Sequence, residues 1–193
     1  MENKYHHGNL KQALIDAGVK IINEEGEKGL SLRKVAAACG VSHSAPYAHF
    51  KDKEELLSAI KTSVTECFTQ YLYDAVNRSK QQGVDYAIIE MGRSYVRFFV
   101  EHPDYYQFFF YNQKITVHLM VGETHEEDYP PFLLLKSLFS QYLEEKRVEL
   151  SDDEKELELI KLWSMVQGIT SIACMENVKT RMPWESYLDK LIN

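Results

Sequence analysis

The sequence predicts an all-α protein in which an N-terminal three-helix helix-turn-helix domain is joined by a long helix to a larger helical C-terminal domain. Apolar residues recur at helical spacing along most of the 193 residues. Polar capping residues and glycines mark the helix ends, and no alternation of apolar and polar residues indicates a β-hairpin. We place the two domains at residues 1–57 and 58–193.

Four polar residues are expected to open the N-terminal helices: Asn9, Ser31, Ser42 and Asp52. The first helix has a single apolar stripe and ends in the glycine-containing segment 24–29. The second covers residues 32–38 and stops before Gly40. The third begins at Ser42 and extends to about Phe50, as its apolar spacing indicates. This half of the chain therefore begins with three short helices.

Asp52 and Glu55 have the spacing of a capping box and open a long helix. If this helix is unbroken to Lys80, it is ~43 Å long at ~1.5 Å per residue. After a break at Gly83, the predicted helices are 84–101, 104–112, 130–147, 152–178 and 184–192. Ser151 and Glu154 form a second capping box. Residues 113–129 have no helical period and are predicted to be a loop.

The charge of the chain is unevenly distributed. Residues 1–61 hold nine Lys and Arg against eight Asp and Glu, whereas residues 62–193 hold thirteen against twenty-one. A protein that coats nucleic acid would be basic throughout, so a near-neutral head on an acidic body suits a small, local binding face.

Composition and motifs also exclude several classes of protein. No apolar run approaches the ~20 residues of a membrane-spanning helix, and the N-terminal residues lack the apolar core of a signal peptide. We therefore expect a cytoplasmic protein without membrane contact. Cys39, Cys67 and Cys174 are too widely spaced for a disulfide framework or a zinc site, which predicts small buried residues. The chain has no GxSxG, P-loop or GxGxxG motif, so we expect neither catalytic residues nor a cofactor.

Residues 31–53 predict two short helices joined by a turn at Gly40. Three consecutive alanines, 36–38, permit close packing of the two helices. In the second helix, Val41, Pro46 and Phe50 can face inward, while His43, Ser44, Tyr47 and Ala48 share the outward side. Pro46 is early enough in this helix that we expect it to remove at most one backbone hydrogen bond without breaking the helix.

The residues Gly29–Ala36, Gly40–Ser42, Tyr47–Phe50 and Lys53–Leu57 resemble, in this register, the DNA-binding head of the TetR (tetracycline-repressor) family. The resemblance covers about residues 8–57. It implies that one set of residues contacts base edges: Arg33, His43, Ser44, Ala45 and Ala48. It implies that a second set contacts the sugar-phosphate backbone: Tyr47, His49 and Lys53. Ser42, at the start of the second helix, belongs to the same DNA-binding surface.

Nine of the seventeen residues from Tyr95 to Tyr111 are Phe or Tyr. Such a helix must be covered on every side or must line a cavity. The expected ligand-binding residues are Tyr95, Phe99, Tyr106, Phe110, Phe132, Phe139 and Gln167. The acidic body favours a neutral or cationic ligand unless Arg93 or Arg97 turns inward. The alternative is that these aromatic residues form an ordinary core.

The loop 113–129 contains His118, His125, Glu126, Glu127 and Asp128. These residues lack the i, i+4 pair that holds a metal on a helix, so the sequence favours a solvated acidic loop and no metal site.

The family resemblance implies a homodimer that binds a double-stranded DNA operator. We expect a repressor that leaves the operator when a small, largely apolar effector binds the C-terminal domain. The predicted interface is formed by the helix after Ser151, with the apolar positions Leu157, Ile160, Trp163, Val166, Thr170 and Ala173, and by the last helix. Burial of these positions within one chain is the alternative.

Two other functions remain open: an all-helical enzyme with an incidental corner motif, and an architectural or cell-division factor that binds DNA without an effector.

Overall fold

The computed structural model describes residues 10–109, 115–175 and 177–193, and within them the chain forms eight α-helices and no β-strand. The helices are α1 (Leu10–Glu25), α2 (Leu32–Ala38), α3 (Lys53–Ser79), α4 (Val84–Glu101), α5 (Pro103–Gln107), α6 (Pro130–Lys146), α7 (Asp152–Ala173) and α8 (Trp184–Leu191). The predicted all-α class is confirmed. Asn9, the expected cap of the first helix, lies outside the described residues.

One of the predicted helix ends is wrong. The helix expected at 104–112 begins at Pro103, is α-helical to Gln107 and continues as π-helix at 108 and 109, and its predicted end lies among residues 110–114, outside the described part. The helix expected to reach residue 178 ends at Ala173. Beyond it Met175 N donates to Ile172 O and Val178 N donates to Met175 O, so both hydrogen bonds join residues three apart and not four as in an α-helix. A turn-favouring Asn177 stands in this segment.

The described residues divide into two compact units, each with its own core. The first comprises residues 10–66 and 104–109. Its core side chains are at most 2% exposed: Leu14, Val19, Ile22, Leu30, Val35, Phe50, Leu56 and Ile60. Gly18 lies where α1 approaches α3 closely, since a Cβ on it would be 2.4 Å from Ile60 Cδ1. Burial of each large apolar side chain contributes roughly 1.5–3 kcal/mol to the stability of this unit.

The second unit comprises residues 67–103 and the described residues from 115 onwards. α4 is its central helix and packs against α6, α7 and α8. Phe68 contacts three aromatic rings of α4, with centroid distances of 5.1 Å to Tyr95, 4.7 Å to Phe98 and 4.8 Å to Phe99. Much of the aromatic segment noted in the sequence therefore forms a core. None of the described helices is both long enough and apolar enough to cross a bilayer.

Candidate functional site

Helix α2 is closed at both ends by hydrogen bonds that set the corner of the helix-turn-helix. Ser31 Oγ accepts a hydrogen bond from Lys34 N at 3.2 Å, which confirms the predicted cap. At the other end, Gly40 N donates to Ala37 O at 3.1 Å and Val41 N to Ala36 O at 3.0 Å. These two bonds form a Schellman motif around Gly40, whose φ is +66°. Glycine is needed there because the left-handed conformation disfavours a Cβ.

The predicted helix from Ser42 to Phe50 is wrong in its type. The chain forms a short 3₁₀ helix, Ala45–Ala48, which we call the recognition turn. Pro46 has no N–H, so the α-helical bond from position 46 to Ser42 O is missing, and Ala45 N donates to Ser42 O instead, at 3.0 Å. Ser42 Oγ does not cap a helix but lies 3.1 Å from Ser44 Oγ. Pro46 therefore changes the backbone hydrogen bonding of the whole segment and does not remove only one bond.

The recognition turn presents a continuous exposed surface. Pro46 and Phe50 are buried, as predicted, and they fix the turn to the core of the first unit. The predicted DNA contacts that are exposed are Arg33, Ser42, His43, Ser44, Tyr47 and Ala48. Ala45, His49 and Lys53 are half-buried. Tyr47 is 62% exposed, which is unusual for a large ring and leaves its hydroxyl and face open to a partner.

Helix α3 starts beside this surface. Glu55 N donates to Asp52 Oδ1 at 2.9 Å, so Asp52 caps the helix as predicted. The second bond of the capping box is shifted by one residue, because Glu55 Oε2 accepts from Lys51 N at 2.5 Å and not from Asp52 N. The cap holds Lys51 and Lys53 at the start of the helix, where cationic side chains suit a phosphate partner.

Two cations of the first unit are already paired within it. Lys34 forms an ion pair with Glu25, and Lys61 Nζ lies 2.9 Å from Glu27 Oε1. In the part of the chain that the structure describes, no ion pair involves Arg33, Lys51 or Lys53. These three side chains therefore keep their charge available to an anionic partner.

The second unit contains a small cavity of about 90 Å³. Its walls come from α4, the start of α6, α7 and the last two residues: Ile88, Ile89, Met91, Gly92, Tyr95, Tyr129, Pro131, Phe132, Leu135, Leu162, Trp163, Met165, Val166, Ile192 and Asn193. The Phe132 and Trp163 rings meet there at a centroid distance of 4.9 Å. The lining is almost wholly apolar, with phenol, indole and amide groups as its side-chain polar groups.

Among the predicted ligand-binding residues that the structure describes, Tyr95 and Phe132 are the two that line this cavity. Phe99 and Phe139 are buried elsewhere in the core, and Gln167 is half-buried outside the lining. Tyr106 belongs to the first compact unit, and Phe110 lies outside the described residues. The sequence-based set of ligand-binding residues missed Tyr129, Trp163 and Ile192. It was centred on the aromatic segment 95–111, whereas these residues belong to α7, the start of α6 and the end of the chain. Trp163 was itself noticed, but as an interface residue.

The polar groups near the cavity do not favour an anion. Burial, together with the nearby Tyr95, raises the pKa of Tyr129 well above its usual value, so this hydroxyl stays protonated. Arg93 Nε donates to Ile192 O at 3.0 Å, and its guanidinium pairs with Glu90. Arg97 pairs with Glu185. Neither arginine is among the cavity residues.

The acidic loop before α6 is more ordered by polar contacts than its sequence suggests. Asp128 is buried, and its carboxylate accepts from His125 N at 3.0 Å and from His118 N at 3.2 Å. These backbone bonds, with the neighbouring His118 ring, lower the pKa of Asp128 to about 2. Lys136, also buried, donates to His118 O and Glu123 O at 2.9 and 2.7 Å.

Helix α7 has an outward apolar face that differs from the predicted one. Val166 and Thr170 are buried within the chain, and Trp163 packs on Phe132, so these three positions are not free for a partner. The exposed apolar side chains on α7 and just beyond it are Leu157, Ile160, Met165, Ile172 and Met175, each between 38% and 55% exposed. Gly168 lies among them with open space beyond its Cα.

Comparison with known proteins places the helix-turn-helix segment in a family. Residues 14–60 match the family model described as bacterial regulatory proteins, tetR family. The chain is 28% identical over 88 residues to the tetracycline repressor protein class D of Escherichia coli, which is 46% of this chain and 40% of the repressor. The match therefore spans less than half the length of that curated relative.

Similarity to solved structures extends over nearly the whole chain. A putative transcriptional regulator from Pseudomonas aeruginosa PAO1 has a TM-score of 0.71 at 19% identity, covering 98% of this chain and 91% of its own. AibR, solved in complex with isovaleryl coenzyme A and operator DNA, has a TM-score of 0.64 at 17% identity, covering 95% of this chain and 96% of its own. At these identities the likeness concerns the fold. The helix-turn-helix match over residues 14–60 and the shared fold together support a regulator of the tetR family.

Proposed function

We propose that this protein is a homodimeric transcriptional repressor that binds operator DNA through the recognition turn and releases it when a small, largely apolar effector occupies the C-terminal cavity. The observation that carries the proposal is the exposed surface of His43, Ser44, Tyr47 and Ala48 on a turn fixed by buried Pro46 and Phe50. On this rigid element, His43 and Ser44 suit hydrogen bonding to base edges, Ala48 suits apolar contact with them, and the flanking cations suit phosphates.

Arg33, His43 and Lys53 divide the DNA-binding surface into testable parts. His43→Ala and Arg33→Ala should each cost roughly 1–3 kcal/mol of binding and relax the base preference at particular positions. Lys53→Ala should weaken binding to all sequences equally and reduce the salt dependence of affinity. Lys80→Ala, which removes the same charge from an exposed position after α3, is the matched control and should leave binding unchanged.

The measurement is fluorescence anisotropy with a duplex that the full chain selects from a random-sequence pool. Affinities are then compared on the selected duplex and on single-base variants of it, at several salt concentrations. A protein that selects no sequence would contradict the proposal. A Lys53→Ala variant with altered base preference, beside a His43→Ala variant with none, would reverse the assigned roles of these residues.

Recognition of an operator with two-fold symmetry requires a dimer. The outward apolar face of α7 is the surface through which we expect two chains to associate. A single head of this size gives limited specificity, whereas two identical heads read two half-sites. Met165→Glu and Ile172→Glu should therefore yield folded monomers, since both side chains are exposed in one chain. Val166→Glu is the contrasting variant, because Val166 is buried within the chain and its replacement should damage the fold itself. Light scattering that shows a folded wild-type monomer at micromolar concentration would remove this part of the proposal.

The cavity lining supports a neutral or cationic effector with apolar or aromatic character. A carboxylate placed there would lose its hydration without gaining a cationic partner. The volume of about 90 Å³ is below the range for drug-sized ligands, so a larger effector requires the cavity to open.

Phe132 and Phe139 provide a matched pair for testing the cavity. Both are buried phenylalanines on α6, but only Phe132 lines the cavity. We expect Phe132→Ala to abolish the rise in melting temperature that an effector produces, and Phe139→Ala to preserve it. The same effector should weaken operator binding by about 5- to 150-fold, the usual range of allosteric coupling. If anions alone raise the melting temperature, the charge argument fails. If no compound changes operator affinity, a DNA-bound factor without an effector is favoured.

A further inference from the structure

Three side chains that can bind a metal meet in the loop before α6. One ligand atom each from His118, His125 and Glu127 lies within 4.8 Å of the others. The two imidazole rings have a centroid distance of 4.0 Å. His118 is partly buried, and His125 and Glu127 are exposed, so the group is open to an ion from solvent. Six residues lie between the two histidines in the sequence, and the segment that joins them is not helical.

A buried carboxylate orients one of these histidines. His118 Nδ1 lies 2.7 Å from Asp128 Oδ1, and the side chain of Asp128 is only 2% exposed. With Nδ1 in this contact, Nε2 is the nitrogen of His118 that remains for a metal. A carboxylate that holds the outer nitrogen of a histidine is a usual support for a metal ligand, because it sets the tautomer and the ring orientation.

The backbone of the loop is held by separate contacts. Lys136 Nζ donates to the carbonyls of His118 and Glu123, and Tyr129 N donates to Thr116 O at 3.0 Å. The Asp128 carboxylate accepts hydrogen bonds from the backbone N–H groups of His118 and His125. Both histidines are therefore tied through their own backbones to one buried carboxylate, which reduces the conformational entropy that an ion would have to remove.

We propose that His118, His125 and Glu127 bind one divalent transition-metal ion of the Zn²⁺ class, with Asp128 as the positioning residue for His118. Two imidazoles and one carboxylate suit zinc, whereas Ca²⁺ and Mg²⁺ prefer sites made of oxygen ligands. Zinc–nitrogen distances of ~2.0–2.1 Å in a tetrahedral site place ligand atoms about 3.4 Å apart. The side chains of His125 and Glu127 are exposed and can close the remaining distance. The fourth position is left to water. This proposal replaces the sequence-based expectation of a loop without a metal site.

One neighbouring carboxylate competes for His125. Its Nε2 lies 3.7 Å from Glu123 Oε2, a long contact between two exposed side chains. Such a contact contributes little, so an ion can displace it or recruit Glu123 as a further oxygen ligand.

The test is Zn²⁺ titration of the full chain by calorimetry after removal of metals with a chelator, and Co²⁺ absorption as a spectroscopic readout of tetrahedral geometry. His6→Gln and His7→Gln are introduced in every sample, because histidine is a common metal ligand and this adjacent pair is a second place where zinc can bind. We expect one Zn²⁺ per chain and a tetrahedral Co²⁺ spectrum. His125→Gln and Glu127→Gln should each lower the affinity at least tenfold. Asp128→Asn should lower it by roughly 10- to 100-fold, the usual effect of an outer-shell partner.

Glu126→Gln is the matched control, since it removes an exposed carboxylate from the same loop without touching the cluster. Its affinity should stay within twofold of the parent protein. Circular dichroism without metal should show that the variants at exposed positions 125 and 127 are folded. Unchanged zinc affinity in both His125→Gln and Glu127→Gln would overturn the proposal, and so would a preference for Ca²⁺ over Zn²⁺. None of these measurements uses DNA, so a negative result leaves the proposed regulatory function intact.

Discussion

Arg97 on α4 and Glu185 on α8 form a two-point ion pair, in which arginine Nε lies 3.0 and 3.1 Å from the two carboxylate oxygens. The terminal nitrogen Nη2 makes a further close contact with the same carboxylate. Helix α8 has only eight residues, too few to be stable alone in water. Its position therefore depends on this pair, on buried Leu188 and on the bond from Arg93 to Ile192 O.

We expect Glu185→Gln to lower the free energy of unfolding by about 0.2–1 kcal/mol, the range for an exposed ion pair. The hydrogen bond from Arg97 lowers the pKa of Glu185, so the pair stabilises the protein above the unfolded-state pKa of about 4.3. This contribution is lost as the pH falls through the lowered folded-state pKa. Urea unfolding of both proteins at several pH values should show the difference shrinking below about pH 4. If the difference in free energy of unfolding were the same at every pH, the variant would act through packing and not through the ion pair.

Replacing Gly40 should separate backbone strain from steric contact. A Cβ at this position would meet no atom within 4 Å, yet φ is +66°. We expect Gly40→Ala to destabilise the first unit by roughly 1–2 kcal/mol, the cost of the left-handed conformation. Gly40→Asn should recover part of this loss, because asparagine tolerates that conformation better. Thermal unfolding of the wild-type protein and both variants measures these differences. A Gly40→Ala variant as stable as the wild-type protein would contradict the strain argument.

The cysteines should differ in their reactivity. Burial raises the pKa of Cys174 to about 11, and burial and the nearby Asp16 raise that of Cys39. Cys67 is exposed. Because the thiolate is the reactive form, we expect a disulfide reagent at pH 8 to modify Cys67 first and Cys174 last. The rate at Cys174 should rise steeply between pH 8 and pH 11. Mass spectrometry of partly modified protein gives the order, and early modification of Cys174 would contradict it.

Gly168 offers a test of the dimer that does not disrupt the fold. In an isolated chain its Cα faces open space within α7, so Gly168→Ala should stabilise the helix by roughly 0.5–1 kcal/mol. If α7 crosses a partner helix closely at this point, the added methyl group should weaken the dimer instead. We expect a higher dissociation constant by analytical ultracentrifugation, together with an unchanged or higher stability of the monomer at high dilution. A dimer that is unaffected would move the crossing point away from Gly168.

Local signals in the sequence predicted the fold well. The caps at Ser31, Asp52 and Ser151 are all present, because a capping residue acts on backbone groups two or three positions away. The long helix α3 and the end of α2 at Gly40 follow from the same kind of local rule. Pro46 shows where such rules fail. Its position predicted a tolerated proline in an α-helix, but without the N–H of Pro46 most backbone hydrogen bonds of the segment join residues three apart, as in a 3₁₀ helix.

The sites depended on contacts that the sequence does not encode locally. The cavity joins α4, α6, α7 and the end of the chain, so its lining follows from tertiary packing that aromatic content alone cannot assign. The loop residues His118 and His125 meet because Asp128 and Lys136 bind the loop backbone. Neither contact leaves a periodic pattern. The resemblance to a DNA-binding head placed the exposed residues of the recognition turn, whereas their contacts with DNA stay a prediction.

The corner at Gly40 allows the exposed side chains of the recognition turn to change during evolution without loss of the fold. Its geometry rests on backbone bonds at residues 36–41 and on the buried rings of Pro46 and Phe50. The exposed side chains at positions 43, 47 and 48 make no contribution to those bonds. Mutations there are close to neutral for folding, since surface substitutions away from caps and cores seldom exceed ±0.5 kcal/mol. Evolution, or a library in the laboratory, can therefore explore new partner sequences at these positions while the scaffold that presents them stays the same.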